Sequence, residues 1–319
     1  MSVLTRDMTT LASAVGNLGG LAVTPDGGLL FASSNIAGRI VGYNLTPGAV
    51  TPLTPNYFGT GTAGTADGPG GTATVTNPQA ASTDGVYVWF YQPSTFTWRR
   101  ATIAPAVVDR VITTVAGSGV TGSVDGTGTA ASIASVSGSY FHLPSRTIWF
   151  SEGLKIRTFN VDTNAVATVG VTTEGASSAL CVSRDGKTLY GWFLNRGKLW
   201  RMPTSGGFVT YFAGNGSNGT DTDGTGPLAG IRDAIQMDMD SDLNLLYIAQ
   251  STGARIRQVD LNTGAVTTVA GNGTYGTSTN GNGTSATINR SNGLRIWPGK
   301  AATTLIVTDY NGAALRQIT

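Results

Sequence analysis

The stretch GAVTTVAGNG, residues 264–273, decides the fold because close copies of it recur along the chain. Residues 111–119 read VITTVAGSG, and residues 208–216 read FVTYFAGNG. Each copy joins a run rich in Val, Thr and aromatic residues to a glycine, a composition typical of a β-strand followed by a turn. A repeat on this scale predicts a fold built from similar units placed side by side.

One repeat unit contains four short strand-like runs, which we name a to d in chain order. Runs a and b are exemplified by GLRI (293–296) and TLIVTD (304–309) of the last unit. Runs c and d are exemplified by RIRQVD (255–260) and AVTTVAG (265–271) of the unit before it. Gly214 and Gly271 occupy the same place in successive units and are 57 residues apart. Four strands at this period predict the blade of a β-propeller with one long connection.

The repeat resembles that of NHL-repeat β-propellers. The residues that carry the resemblance are the VTTVAG run, the loop of the Asp125-Gly126-Thr127-Gly128 type that follows it, the Leu-Tyr-Ile strand and the Arg-Ile-Arg run. They match closely in about half of the units and loosely in the others. The resemblance implies a propeller fold but indicates little about activity, because propellers host many unrelated functions.

The composition limits the classes of function. The chain has 319 residues, a net charge of +2 and only 12% charged residues, so nucleic acid is not an expected partner. Its single cysteine, Cys181, excludes an intramolecular disulfide. No apolar run approaches 18 residues, so no membrane span is expected. The first residues, MSVLTRDM, lack the apolar segment of a signal peptide; either the chain is not exported by that route or a leader has been removed.

Six units can be placed, which predicts an all-β fold: a six-bladed β-propeller of four-stranded antiparallel blades, in a single domain over residues 1–319. The sixth unit stops after three strands, whereas a spare strand resembling d stands near the N-terminus. An open ring would leave unpaired strand edges, so we expect the N-terminal segment to pair with residues 314–319. The predicted blades cover residues 17–54, 77–117, 138–170, 178–214, 233–271, and 292–319 together with 3–14.

The connections from strand d to the next strand a differ in length, in the order short, long, long, short, long, long. They are short before residues 20 and 179 and long at residues 59–76, 117–133, 214–231 and 271–288. This order indicates two similar halves of three blades. The long loops and the turns between strands b and c should emerge together on what we call the long-loop face, and loops on a rigid scaffold commonly carry function.

Each long loop contains an Asp-Gly or Asn-Gly step, at Asp67, Asp125, Asp223 and Asn280. Such a ring of polar groups could hold a cation or another ligand, and Asp221 with Asp223 come nearest to a calcium loop. No glutamate follows at the EF-hand spacing, however. The alternative is that each aspartate forms an Asx-turn with nearby backbone. We expect no metal and no cofactor.

Strand c repeats a cation, and this pattern has two interpretations. The side chains could form a basic face for RNA, as in some NHL propellers, or they could cover the sheet and bond carbonyl groups between blades. The low net charge and the lack of any Lys/Arg run favour the second interpretation. The cations are Arg39, Arg100, Lys155, Arg157, Lys198, Arg255, Arg257 and Arg316.

Aromatic residues supply the best sign of a binding surface. Tyr91, Phe96 and Trp98 lie in or beside the predicted turn between strands b and c of the second blade, and Tyr275 lies in the last long loop. If exposed, such rings stack on sugars or anchor protein interfaces. The alternative is that they are buried against neighbouring long loops.

His142, Asp238 and Asp240 are predicted to lie on inner strands, where they could face the central channel. His142 is the only histidine of the chain. A metal site needs three or four ligands, and two carboxylates with one distant histidine do not make an acid–base mechanism. These three residues are therefore channel candidates, and no catalytic residue is assigned.

The sequence favours a non-enzymatic binding or structural propeller that presents its long loops to a protein or a glycan. The Gly/Thr-rich loops and the scarcity of Lys and Glu suit a component of a larger extracellular or virion assembly, such as a phage tail. Two alternatives stay open: a metal-dependent lyase or hydrolase with its site in the channel, and an RNA-binding NHL propeller.

Overall fold

Six antiparallel sheets form a closed ring, which confirms the predicted all-β six-bladed propeller. The computed structural model describes residues 6–13, 16–34, 38–46, 49–300 and 302–319, apart from the side chains of residues 54–56 and 107. Strand a of each blade lies innermost and contacts strand a of the next blade around the ring, including the contact between the sixth blade and the first. Among the described residues, no helix has the length and apolarity required to cross a membrane.

In chain order, the strands are β1 (Asp7–Ala12), β2 (Leu18–Val23), β3 (Leu29–Ser34), β4 (Arg39–Thr46), β5 (Ala49–Phe58), β6 (Gly68–Pro69), β7 (Gln79–Thr83), β8 (Tyr87–Gln92), β9 (Thr97–Thr102), β10 (Val111–Ala116), β11 (Gly126–Thr127), β12 (Val136–His142), β13 (Thr147–Glu152), β14 (Lys155–Asn160), β15 (Ala165–Val171), β16 (Ser177–Val182), β17 (Thr188–Phe193), β18 (Lys198–Pro203), β19 (Thr210–Ala213), β20 (Gly224–Thr225), β21 (Ala234–Asp240), β22 (Leu245–Gln250), β23 (Arg255–Asp260), β24 (Ala265–Ala270), β25 (Gly281–Asn282), β26 (Leu294–Ile296), β27 (Leu305–Asp309) and β28 (Ala314–Ile318). Short 3-10 turns occupy Val107–Asp109, Gly128–Ala130, Leu143–Ser145, Gly226–Leu228 and Gly283–Ser285.

The N-terminal strand closes the ring, as predicted. Strand β1 pairs antiparallel with β28, with Thr9 opposite Gln317, and so supplies strand d of the sixth blade. Met8 of β1 is fully buried in the core between the fifth and sixth blades. Arg6, just before the strand, donates a hydrogen bond of 2.8 Å to the Tyr247 hydroxyl. The first and last segments of the chain therefore hold each other in place.

Four of the six sheets have a fifth strand that the sequence did not predict. The two-residue strands β6, β11, β20 and β25 lie in the long loops and pair with the outermost strands β10, β15, β24 and β1. Each long loop therefore folds outward over the edge of the blade that follows it. This pairing satisfies backbone groups that an outermost strand would otherwise leave open.

Close approach of the inner strands narrows the ring at the long-loop end. Gly138 of β12 faces the backbone of Ser178 in β16, and a Cβ atom at Gly138 would lie only 2.7 Å from the Ser178 carbonyl oxygen. Gly293 is in similar contact with the carbonyl of Gly19. A larger residue at either position would push two neighbouring blades apart.

Candidate functional site

A buried arginine holds each long loop against its blade. Each of these arginines is the third residue of strand c in its blade. Their side chains are at most 1% exposed, although they carry a full charge. Buried charges persist only when partners satisfy them, so the loop contacts are part of the fold. The four residues are Arg99 in β9, Arg157 in β14, Arg257 in β23 and Arg316 in β28.

The third blade shows the arrangement in full. Arg157 donates to the carbonyl oxygens of Val124 and Ser132, both at 2.9 Å, and to Asp125 Oδ1 at 3.1 Å. It also pairs with the buried Glu152 at 2.6 Å. Asp125 in turn accepts hydrogen bonds from the backbone and hydroxyl of Thr168 in strand d. Partial burial opposes ionisation of Asp125, but the bonds from Thr168 and Arg157 outweigh it and lower the pKa of Asp125.

The same contacts recur in the other blades that follow a long loop. Asp67 accepts from Arg99 and Thr114, and Asp223 accepts from Arg257 and Thr268. In the sixth blade the loop residue is Asn280, which accepts from Arg316 at 2.9 Å and from the Thr10 hydroxyl at 2.9 Å. In each of these blades a threonine of strand d binds the loop side chain, which explains why a threonine recurs at that position.

Blades one and four lack both the long loop and the arginine. The third residue of strand c is Val41 in β4 and Trp200 in β18. Trp200 is fully buried, and Gly191 on the paired strand leaves room for its ring, since a Cβ at Gly191 would lie 2.1 Å from the ring. An arginine at this position is therefore linked to a long loop before the blade, and an uncharged residue to a short one.

One of the buried arginines also binds the two acidic residues that the sequence singled out, Asp221 and Asp223. Asp221 is 6% exposed and forms ion pairs with Arg255 at 3.3 Å and Arg257 at 3.6 Å. Asp223 is bound by Arg257 at 2.9 Å. Arginine side chains therefore already bind both carboxylates. That either carboxylate binds a ligand stays a prediction.

The strand-c cations follow the second of their two interpretations. The arginines at the third position bond loop carbonyls instead of forming an exposed basic face. One register assignment was wrong: the equivalent residue in the second blade is Arg99, not Arg100. Arg100 lies on the other face of the sheet, with its guanidinium 4.8 Å from the centre of the Tyr87 ring.

Two of the aromatic candidates are in the core. Tyr91 and Trp98 are fully buried, opposite each other in β8 and β9, and Trp98 packs on Phe150 and Phe159 of the next blade. Burial is the second of the two interpretations that the sequence left open for these rings, so neither is accessible as a binding residue. Both residues lie within strands: β8 continues to Gln92, the turn covers residues 93–96, and β9 begins at Thr97.

The other two aromatic candidates lie nearer the surface. Phe96 is half-buried in the b–c turn, with a backbone φ of 52°. Tyr275 is 51% exposed in the last long loop, and its hydroxyl accepts a hydrogen bond of 2.8 Å from Asn311. Of the four predicted aromatic residues, Tyr275 is the one whose ring is accessible from the long-loop face.

His142 has a structural role at the boundary between the third and fourth blades. Its Nε2 donates to the carbonyl oxygen of Arg184 at 3.1 Å, because a carbonyl can only accept. Nδ1 then accepts from the Ser145 hydroxyl at 2.7 Å. Both ring nitrogens of the buried imidazole are therefore engaged.

Asp238 faces the channel, but its oxygens already bind nearby groups. They accept from the backbone N–H of Met239 at 3.0 Å and of Ile296 at 2.9 Å, with the Tyr140 hydroxyl at 3.5 Å. Burial raises the pKa of Asp238, and the field of Arg295 opposes that rise only in part.

Asp240 binds groups other than Asp238 and His142. It caps the turn at residues 241–244 through the amides of Asp242 and Leu243, both at 3.2 Å, and binds the Thr303 hydroxyl. Among the described residues, no three His, Cys, Asp or Glu side chains come together as a metal site would require.

The channel opens into a cavity at each end. The cavity on the long-loop face has a volume of about 240 Å³ and is lined by small or neutral groups, including Ser33, Ser178, Gln236 and Asn292. The cavity on the opposite face, where the turns between strands a and b lie, has a volume of about 490 Å³. All six blades contribute to its wall.

Exposed aliphatic residues cluster on the long-loop face around the third and fourth blades. We call them the apolar rim, and their exposures lie between 43% and 67%. Hydrogen bonds fix the backbone beneath them: Lys155 Nζ reaches Ser123 Oγ at 2.9 Å, and the Thr172 N–H reaches the Leu154 carbonyl at 2.7 Å. The rim consists of Val120, Val124, Leu154, Val171 and Leu194.

Comparison with known proteins supports the fold. No family model matches the chain, and no curated protein matches its sequence. A structural-genomics protein of unknown function from Bacteroides thetaiotaomicron superposes with a TM-score of 0.70 at 17% identity, covering 98% of this chain and 76% of that one. An auxiliary nutrient binding protein from Bacteroides ovatus gives 0.69 at 13% identity, with coverages of 98% and 76%. A gluconolactonase from Xanthomonas campestris gives 0.60 at 13% identity, with coverages of 98% and 89%. At these identities the likeness extends to the six-bladed propeller fold alone.

Proposed function

We propose that this propeller is a non-enzymatic binding protein that holds a partner protein on its long-loop face, as a component of a larger assembly. The observation that carries the proposal is the apolar rim, of which Val120 and Val124 lie in the long loop that the buried Arg157 holds. Exposed apolar patches mark protein interaction sites, and a rigid backbone reduces the entropy lost on binding. The likeness to a nutrient binding protein is compatible with a binding role.

The chemistry of the rim favours a protein over a glycan. All five of its residues are aliphatic, whereas sugar rings are usually bound by stacking on aromatic side chains. Tyr91 and Trp98 are buried, which leaves Tyr275 as the accessible ring among the predicted aromatic residues. An extracellular or virion location agrees with this proposal but does not follow from it.

Two other functions have weaker support. A channel lyase or hydrolase would have to free His142 and Asp238 from their present hydrogen bonds. RNA binding would need the strand-c arginines at the surface, and Arg157 and Arg257 are fully buried. We also infer that the repeat is of the NHL type, because three of the four segments that carry that resemblance bind one another in this fold: the strand-c arginine and the strand-d threonine both bind the Asp of the Asp-Gly loop.

The proposal is tested by comparing the two faces of the ring. Immobilised protein is exposed to extract of its source, and retained proteins are quantified by mass spectrometry. We expect Val171→Asp with Leu194→Asp to reduce retention of the partner about tenfold or more, because the interface would have to desolvate two carboxylates. The matched control, Phe208→Asp with Leu243→Asp, changes exposed apolar residues on the opposite face.

Equal retention by the two double variants would overturn the assignment of the face. A glycan array provides the second arm of the experiment. A glycan signal that disappears in Tyr275→Ala would replace the protein partner by a carbohydrate.

A further inference from the structure

We propose that the channel cavity on the face opposite the long loops, where the a–b turns lie, binds a small carboxylate with an apolar body, through Arg295. This site lies on the opposite face from the apolar rim. It is therefore independent of the proposed partner protein, and variants of the rim should leave it intact.

Arg295 is a cation with unused donors in the cavity wall. It is the middle residue of β26, and its guanidinium donates to the carbonyl of its own neighbour Leu294 at 3.0 Å. Among the described residues it forms no ion pair, whereas the four buried strand-c arginines all do. A guanidinium has five N–H groups, so most of its donors remain available to a ligand.

The acid nearest to Arg295 does not use those donors. Asp238 lies in the same wall, but the amides of Met239 and Ile296 satisfy its oxygens. The positive charge of Arg295 opposes the rise in the pKa of Asp238 over a distance, although the two side chains form no ion pair. The planar edge of the guanidinium is thus left for a second, external carboxylate, whose geometry it matches.

A buried hydroxyl gives an independent sign of a ligand. Ser82 is 3% exposed and lines the same cavity, and its Oγ has no hydrogen-bond partner among the described residues. Buried polar atoms are nearly always paired, so this one calls for a partner that enters the cavity. A ligand that carries an oxygen would supply it.

The rest of the wall sets the class of the anion. Phe141, Met239 and Ile296 are among several apolar residues that surround the charged groups. A multiply charged anion such as phosphate would lose much hydration there and would be repelled by Asp238. A singly charged carboxylate on an apolar body fits the wall better, and a cavity of about 490 Å³ is within the usual range for small ligands.

The experiment measures the affinity of benzoate by calorimetry, with benzamide and inorganic phosphate as comparison ligands. We expect benzoate to bind and the other two to bind at least about tenfold more weakly, since neither offers a single charge on an apolar ring. Arg295→Gln should weaken benzoate by about tenfold or more. Arg295 has one hydrogen bond, to its own neighbour, so the variant should stay folded at the temperature of the assay, although it removes the field that favours ionised Asp238.

Two further variants make the test decisive. Ser82→Ala removes only a hydroxyl that has no partner, and should weaken benzoate severalfold in a protein that folds normally. Lys300→Gln removes a nearby cation outside this cavity, which lies 4.0 Å above the Trp297 ring, and should leave benzoate binding unchanged.

The proposal fails if benzoate does not bind, if benzamide or phosphate binds as tightly as benzoate, or if Arg295→Gln and Lys300→Gln have equal effects.

Discussion

Replacing Arg157 by Met tests the idea that buried arginines hold the long loops. The variant keeps most of the side-chain volume but removes every donor of the guanidinium. Glu152 then loses its partner at 2.6 Å while remaining buried. The carbonyl groups of Val124 and Ser132 also lose a charged donor. We expect the long loop before the third blade to detach and the protein to lose stability.

The magnitude follows from burial. Breaking a buried ion pair by removing one partner costs about 3–5 kcal/mol, whereas the pair with the half-exposed Asp125 adds less than about 1 kcal/mol. We take about 4 kcal/mol for the variant. At about 2.1 cal/mol/K per residue, a chain of 319 residues has an unfolding entropy near 0.7 kcal/mol/K. The melting temperature should therefore fall by about 6 °C.

A second substitution separates the charge effect from the loss of packing. Adding Glu152→Gln to Arg157→Met removes the stranded charge and should restore about 2 kcal/mol, or roughly 3 °C. Glutamine is the residue that ends strand b in the second and fifth blades, as Gln92 and Gln250, so the fold tolerates it there.

Thermal melting followed by circular dichroism, with urea unfolding as a check, measures these differences. The control is Arg201→Met, which removes an exposed cation from strand c of the fourth blade and should change the melting temperature by less than about 1 °C. A similarly small change in Arg157→Met would refute the reasoning, as would a double variant no more stable than the single one.

Two further predictions concern closure and pH. Met8→Ala should cost about 2–5 kcal/mol of unfolding free energy because Met8 is fully buried, and deleting residues 1–13 should lower the melting temperature further. An unchanged melting curve of the truncated chain would contradict closure by β1. Burial raises the pKa of Asp238 above its unfolded value of 3.8, so this carboxyl favours folding while it is protonated, and its contribution is lost as pH rises through its folded-state pKa. The stability of wild type relative to Asp238→Asn should therefore fall as pH rises above the unfolded-state value of 3.8; a difference that is constant with pH would refute this.

The fold could be predicted because the repeat shows it several times. A run of Val and Thr ended by glycine marks strand d in several units. A further copy of this run near the N-terminus, with no strands a to c before it, predicted the closing strand. The fifth strands were not predicted because two residues, such as Gly126 and Thr127, carry no periodic signal.

The details of the site depended on register, which sequence patterns define poorly. A shift of one residue moves a side chain to the other face of a sheet, and this is why Arg100 was chosen over Arg99. Register likewise decides whether the rings of Tyr91 and Trp98 face the core. The correspondence between an arginine in strand c and a long loop before the blade was visible in the sequence. In the fourth unit Trp200 stands in place of the arginine, and the connection before that unit is short. The cavity around Arg295 was not visible, because it is assembled from six distant segments.

The uneven connections give the ring a direction that six equal blades would lack. The two short ones, before β2 and before β16, lie three blades apart and therefore at opposite ends of one diameter. The long loops lie in pairs on either side of this diameter, with Val171 and Leu194 at one end of it. Of the six rotations that carry one blade onto another, only two reproduce this order of long and short connections, so a partner that contacts the long loops on both sides can bind in only two orientations.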